Sequence, residues 1–164
     1  MNEVLKVLKE RRSIRAFRPE PLKKEDLDAI VEAGLYAPSA KNLQSTKLVV
    51  VRDAAVLARL ERLNSRILGT PEAIVVLSDS EYPNWLQDGS LVMGNLMNAA
   101  AALGIGSCWI NPALETFELP EGKALLAEWG LGENWKGVGN CILGYTDQAV
   151  LGDKARKEDR VLYV

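Results

Sequence analysis

Val4, Leu5, Val7 and Leu8 recur at helical spacing among Lys6, Lys9 and Glu10, which predicts a short amphipathic helix ending near a cluster of arginines. Arg18-Pro19-Glu20-Pro21 breaks that pattern, because each proline pushes the residue before it out of helical angles, and it reads as a loop. A second helix is predicted from about Lys24, with Leu27, Ile30, Val31 and Leu35 as its buried stripe and Ala37-Pro38-Ser39 as its stop. Thr46 to Arg52 is rich in β-branched residues and reads as a buried strand, after which Asp53 can N-cap a helix carrying Val56, Leu57, Leu60 and Leu63. Ala73 to Ser78 gives another strand. Asp79 to Gln87 reads as a polar loop bearing Tyr82 and Trp85, and a long helix follows from about Asp88 to Leu103, closed by Gly104. Ser107 to Ile110 is a short strand, Pro120 to Trp129 a helix and Lys136 to Tyr145 a further apolar strand, and Val161 to Val164 could add a last one.

Helices and strands alternate, but their connections differ in length, which favours an α+β sandwich with a mixed sheet over a regular doubly wound fold. The chain shows no internal repeat and no linker, so residues 1–164 read as one domain. With 48% hydrophobic and 26% charged residues it can bury a core, which excludes a disordered chain. Its apolar runs fall far short of the roughly 20 residues that cross a bilayer. The first ten residues lack the apolar core of a secretory signal, so the cytosol is the expected compartment.

The residue counts narrow the chemistry. The chain has no histidine, which excludes Ser-His-Asp and Cys-His catalysis. Cys108 and Cys141 sit inside apolar runs and read as buried thiols, and neither a four-cysteine zinc site nor one of two cysteines and two histidines can form in one chain; a carboxylate-bound magnesium ion stays allowed, but no metal site is assigned. What remains is chemistry by carboxylate, lysine or arginine, or by a bound cofactor.

Arg11, Arg12, Ser13, Arg15 and Arg18 place four guanidinium groups and a hydroxyl at a helix-to-loop junction. Such a cluster suits a phosphate, to which guanidinium makes paired, charge-assisted hydrogen bonds, or else it is a solvated basic face balanced by Glu3, Glu10 and Glu20. A net charge of −2 and the lack of a second basic stripe weigh against nucleic acid. Phosphate-loop and dinucleotide patterns fail, since Asn95-Leu96 and Ile142 stand where Lys-[Ser/Thr] and a third glycine are required. The turn Ala37 to Gln44 could place amides and backbone groups at a ligand, or could simply stop a helix.

Four blocks then carry a resemblance: Glu10-Arg-Arg-Ser-Ile-Arg-Ala-Phe17, Ala37-Pro-Ser-Ala-Lys-Asn-Leu-Gln44 leading into a valine-rich strand, Ala100 to Ile110, and Gly144-Tyr145 followed late by Arg156-Lys157. In order and spacing they resemble the nitroreductase family of FMN-dependent oxidoreductases. The resemblance implies a three-layer sandwich, with helices flanking a mixed, mainly antiparallel central sheet. It implies a homodimer with two FMN sites at the interface, and a C-terminal segment reaching onto the partner. On that analogy Arg11, Arg12, Ser13 and Arg15 hold the phosphate and ribityl chain of FMN, joined by Arg156 or Lys157. Pro38, Ser39, Ala40, Asn42 and Gln44 would contact the flavin from the other protomer, and the backbone of Ile110 and Asn111 would approach its redox edge. Tyr82 and Trp85 are expected at the substrate pocket's rim or else over the adjacent core.

The implied reaction is ping-pong. NADH or NADPH gives hydride to flavin N5, and a nitroaromatic, quinone or similar small acceptor then takes it, with no nucleic acid or membrane involved. A flavin-binding sensor or carrier with little turnover is the rival, and an interaction module without flavin a third. Two departures stand out: Ser45-Thr46 replaces the family's frequent Pro-Trp after Gln44, and Pro112 removes an N–H from the redox-edge turn.

Overall fold

Four strands form one sheet: β1 (Thr46–Val51), β2 (Glu72–Asp79), β3 (Gly106–Ile110) and β4 (Trp135–Gly144), in the order β1-β2-β4-β3. The computed structural model describes residues 2–64, 66–149, 152 and 155–164. β2 lies in the middle because it is apolar on both faces, and every residue from Glu72 to Ser78 is buried. All three strand pairs are antiparallel, with Val75 opposite Asn140 and Ile110 opposite Asn140 from the other side. The expected mixed character shrinks to a single parallel bridge, Ser13 to Ser107.

Among the described residues six helices complete the layers: α1 (Glu3–Glu10), α2 (Lys24–Leu35), α3 (Ala54–Asn64), α4 (Trp85–Ala102), α5 (Ala113–Glu118) and α6 (Pro120–Glu128). Val75, Leu77, Cys108, Ile110 and Ile142 form one core with Leu57 and Leu60 of α3, Phe117 of α5 and Leu125 of α6. Ile74, Val76, Cys141 and Leu143 form the other with Leu27 and Ile30 of α2 and Met93, Leu96 and Ala100 of α4. Each buried aliphatic side chain contributes roughly 1.5–3 kcal/mol, so both layers hold the sheet. The two thiols therefore face opposite cores and both are free.

α2 and α4 approach closely at Gly34, where an added Cβ would lie 2.6 Å from Leu96 Cδ2. Asp53 caps α3 as expected, its Oδ1 accepting from the N–H groups of Ala55 at 2.8 Å and Val56 at 3.0 Å. Glu72 is fully buried and accepts from Arg52 Nε at 2.8 Å and the Leu22 N–H at 3.1 Å, which pins the proline-bearing loop before α2. Burial pushes the Glu72 carboxyl up, and the Arg52 guanidinium opposes it.

Four expectations are corrected. Leu35 is not in the buried stripe but 61% exposed, because α2 turns Gly34 toward α4 in its place. Trp85 to Gln87 belong to α4, which opens three residues before Asp88. α5 was not predicted, since six residues behind Pro112 are too few for a periodic pattern. Val161 to Val164 form no strand and are exposed, Leu162 at 84% and Tyr163 at 92%. Among the described residues no helix is long and apolar enough to cross a membrane, and no cluster of side chains could hold a metal ion.

Candidate functional site

Arg11 closes α1, its N–H donating to the Val7 carbonyl at 2.9 Å, and the chain then runs extended beside β3. The Ile14 N–H donates to the Ser107 carbonyl at 2.9 Å and Ile14 is buried, which fixes the residues on either side of it. Residues 15–18 continue against 145–148: the Arg15 N–H donates to Gln148 Oε1 at 3.1 Å, Thr146 Oγ1 donates to the Ala16 carbonyl at 2.7 Å, and the Arg18 N–H donates to the Tyr145 carbonyl at 2.8 Å. Arg18 also pairs with Asp147, which holds that carboxyl below its ordinary range and the guanidinium above its own.

Within this frame the arginines part company. Arg12 Nη1 donates to the carbonyls of Lys9 at 2.6 Å and Arg11 at 2.9 Å, so this cation serves the C-terminal end of α1. Arg11 lines a cleft of about 320 Å³ between α1 and the end of α4, and its Nη1 is buried without a hydrogen-bond partner among the described residues. Arg15 lines a larger cleft of about 590 Å³ together with Arg66, Leu68, Cys108 and the turn Ile110–Pro112. In that turn Pro112 has no N–H, and the Ala113 N–H is taken by the Asn111 carbonyl at 2.6 Å, which leaves Asn111 as the donor the turn can offer.

The thiol of Cys141 is pushed up to about 12 by burial and is inert. Trp109 borders the same cleft, and an added Cβ at Gly139 would lie 2.2 Å from its Nε1, so the indole packs over bare backbone.

The other predicted group lies at the far edge of the sheet. Ser39 to Ser45 leads into β1 through a single 3₁₀ turn, Ala40–Asn42. Lys41, Asn42 and Gln44 take positive φ of 52°, 55° and 52°. Such angles cost a non-glycine residue roughly 1–2 kcal/mol each, so the turn must be held from outside. Inside it, the Gln44 N–H donates to Ser39 Oγ at 3.0 Å and the Asn42 N–H to the Ser39 carbonyl at 2.9 Å. From outside, the buried Asp88 accepts from the Ala40 N–H at 3.0 Å and from Ser45 Oγ at 3.5 Å.

Tyr82 and Trp85 follow this edge, since the Asp79 N–H donates to the Ser45 carbonyl at 2.9 Å. Tyr82 is 37% exposed, whereas Trp85 is half-buried against the α2–α4 core.

Arg11, Ser13, Arg15, Ile110 and Asn111 are thus gathered at the β3 edge, and Pro38, Ser39, Ala40, Asn42 and Gln44 at the β1 edge. Three strand spacings of about 4.8 Å separate those edges. Arg156 and Lys157 face a shallow cleft lined by Asp159, Arg160 and Val161 of the tail, not the Arg15 cleft. Sequence reasoning missed Arg66, whose only signal is its place just before the turn Gly69-Thr70-Pro71, and Asp88, which stands as the one charged residue in all of α4.

Comparison with known proteins bears on these groups together. The profile of the Nitroreductase family matches residues 8–75, which include the arginine cluster and the 39–45 turn. A protein of Archaeoglobus fulgidus, provisionally named an NADH dehydrogenase/NAD(P)H nitroreductase, is 36% identical over 155 residues, covering 88% of this chain and 86% of its own. An FMN reductase [NAD(P)H] of Bacillus subtilis is 31% identical over 156 residues, covering 74% of this chain and 61% of that longer one. The crystal structure of a nitroreductase with bound FMN from Bacteroides fragilis superposes with a TM-score of 0.88 at 32% identity, over 100% of both chains.

Proposed function

The chain belongs to the nitroreductase family, and we propose that it is an FMN-dependent NAD(P)H oxidoreductase acting on a nitroaromatic, a quinone or a similar small acceptor. The observation that carries this reading is the cleft of about 590 Å³ in which Arg15 and Arg66 flank the turn Ile110–Pro112. FMN, when bound, supplies hydride chemistry that no side chain of the protein can furnish.

The residues present fit that group. The orphaned, buried Nη1 of Arg11 calls for an anionic acceptor, which a phosphate oxygen would supply, while Arg15 offers its cation to the separate cleft of about 590 Å³. Arg66 places positive charge on the wall of the cleft, where it favours a ring that gains negative charge on reduction. Asn111 offers its N–H at the turn. Pro112 narrows that edge to one donor, and its ring helps exclude water.

Two protomers are needed for the second half of the site. The 39–45 turn sits across the sheet from Arg15, so a ligand held by both groups takes Ser39, Asn42 and Gln44 from a partner. The apolar face of α1 supports such a homodimer, since Val4, Leu5 and Leu8 are more than half exposed in the single chain. The exposed tail would carry Arg156 or Lys157 to the partner's phosphate. A variant ending at Asp159 should then sediment as a weakened dimer, and an undisturbed dimer would argue against the swap.

The deciding experiment is the visible spectrum of protein soaked with FMN and desalted, followed by anaerobic titration with NADH and NADPH. Flavin bands that bleach with one nucleotide establish the enzyme and its donor. Bands that persist leave a carrier, and colourless protein ends the flavin reading. Initial rates at several acceptor concentrations should give parallel double-reciprocal lines, whereas intersecting lines would replace the ping-pong order.

A further inference from the structure

The 39–45 turn poses a physical problem that its own residues do not solve. Three non-glycine residues in four positions hold left-handed angles, and the bonds Gln44 N–H to Ser39 Oγ and Asn42 N–H to the Ser39 carbonyl lie inside the turn and would move with it. Some group fixed to the rest of the fold must impose this shape.

Asp88 meets that requirement. It sits in the first turn of α4 and is 4% exposed, and the next residue, Gly89, is pressed so closely on the sheet that an added Cβ would lie 2.5 Å from Val138 Cγ2. Its two carboxylate oxygens reach the two ends of the turn, Oδ1 the Ala40 N–H at 3.0 Å and Oδ2 the Ser45 hydroxyl at 3.5 Å. Ser45 is itself buried and is tied a second time, its carbonyl accepting from the Asp79 N–H at 2.9 Å. Among the described hydrogen bonds, Ala40 has only Asp88 as an anchor outside the turn. The Ala40 end of the turn, between Ser39 and Asn42, therefore takes its position from one side chain, and that side chain also reaches the Ser45 end.

We propose that Asp88 is a positioning residue, which clamps the 39–45 turn in its left-handed shape and so aims Ser39, Asn42 and Gln44 at the flavin of the partner protomer. Because Ser39 Oγ is already an acceptor for the Gln44 N–H, its own proton is left to be donated outward. Asp88 touches neither cofactor nor substrate. Its effect passes through Ala40 and Ser45, and it rests on the reading of this turn as a flavin contact.

This role is geometric, which makes it separable from one of charge. Asn at position 88 keeps an acceptor for the Ala40 N–H, and the Ser45 hydroxyl can rotate to accept from the new amide, whereas Ala removes both contacts. The test uses full-length protein of three kinds: wild type, Asp88→Asn and Asp88→Ala. For each, FMN affinity, the position of the bound flavin's visible bands, its reduction potential and the KM and kcat for NADH are measured.

The expected result is that Asp88→Ala binds FMN at least tenfold more weakly, with shifted bands and a shifted potential, while Asp88→Asn stays within about threefold of wild type. Exchange of the Ala40 amide with deuterium should quicken in Asp88→Ala alone. If Asp88→Ala does not fold, Ser45→Ala removes only the second contact and should weaken FMN binding two- to threefold. Wild-type affinity, spectrum and potential in Asp88→Ala, or in Ser45→Ala should Asp88→Ala not fold, would overturn the proposal. So would an Asp88→Asn as defective as Asp88→Ala, since charge would then matter and not shape. Wild-type protein that takes up no FMN would overturn the flavin reading of the turn and the proposal with it. FMN held equally by wild type and Asp88→Ala would overturn the proposal alone.

Discussion

The two edges of the sheet hold their candidate site residues by opposite means. At the β3 edge the segment 11–15 is laid along a strand, and the Ile14 N–H bond to the Ser107 carbonyl and the Arg15 N–H bond to the Gln148 side chain decide where each side chain stands. At the β1 edge the 39–45 turn adopts angles its residues do not favour, and a side chain from another element holds it there. The frame at the β3 edge tolerates the loss of the Arg11 or Arg15 side chain, because these residues are held by their backbone N–H groups. A turn under strain, whose Ala40 end has Asp88 as its one outside anchor among the described hydrogen bonds, does not tolerate the loss of that anchor.

The largest effect should come from the laddered edge, where the frame stays intact and only the cations are lost. Arg11→Ala combined with Arg15→Ala removes charge-assisted contacts worth about 1.5–3 kcal/mol each, so each change should cost roughly 10- to 100-fold in FMN affinity. Equilibrium dialysis against FMN reads this, and unchanged occupancy would return the arginines to a solvated face. The melting temperature should hardly move.

Next in size is a change that loosens the support of the strained edge without touching the turn. Gly34→Ala forces a Cβ to within 2.6 Å of Leu96 Cδ2, between the helix that leads into the turn and the helix that carries Asp88. Such overpacking typically costs about 1–3 kcal/mol, to be read by urea unfolding. Wild-type stability would mean that Leu96 and Leu48 yield freely and that the two helices are not rigidly locked. Smaller still, Ser39→Ala removes one hydroxyl from the turn and one internal bond, worth about 1 kcal/mol or about fivefold in FMN affinity.

The smallest effect belongs to the middle of the sheet, which serves both edges. Burial raises the Glu72 carboxyl above its ordinary value of 4.5. An acid raised by folding contributes fully while protonated, below its unfolded value, and loses that contribution as pH climbs through the folded one. Glu72→Gln should therefore gain stability relative to wild type as pH rises from about 4.5 toward neutrality, as measured by urea midpoints across that range. A flat difference would place the charged form at no disadvantage in the core.

The same contrast explains what could be read from the sequence. The laddered edge was legible, because Arg11 to Arg15 is compact in sequence and its partner strand Ser107 to Ile110 shows as an apolar run. So were the capping of α3 by Asp53 and the stop at Gly104, which takes φ +71°. The strained edge was legible only as a turn of the right composition. Neither left-handed Lys41 nor the anchor of its neighbour Ala40, 48 residues away in Asp88, leaves a local pattern, because the contact of Ala40 with Asp88 depends on how α4 crosses the sheet. Arg66 escaped for a related reason: it lines the cleft beside Leu68, in a loop where Leu68 and Gly69 both take positive φ, and no local pattern marks such a loop. Leu35 misled because a 3.6-residue period cannot distinguish an inward glycine from an outward leucine beside it.

Trp109 and Gly139 also constrain how this cleft can change over generations. With 2.2 Å between the indole nitrogen and the place a methyl would occupy, no side chain can be acquired at position 139 while the tryptophan remains. A smaller residue at 109 opens a void first and permits a side chain at 139 only afterwards. The mutational path is therefore ordered, and variants that widen this wall should carry the change at 109 as their founding step.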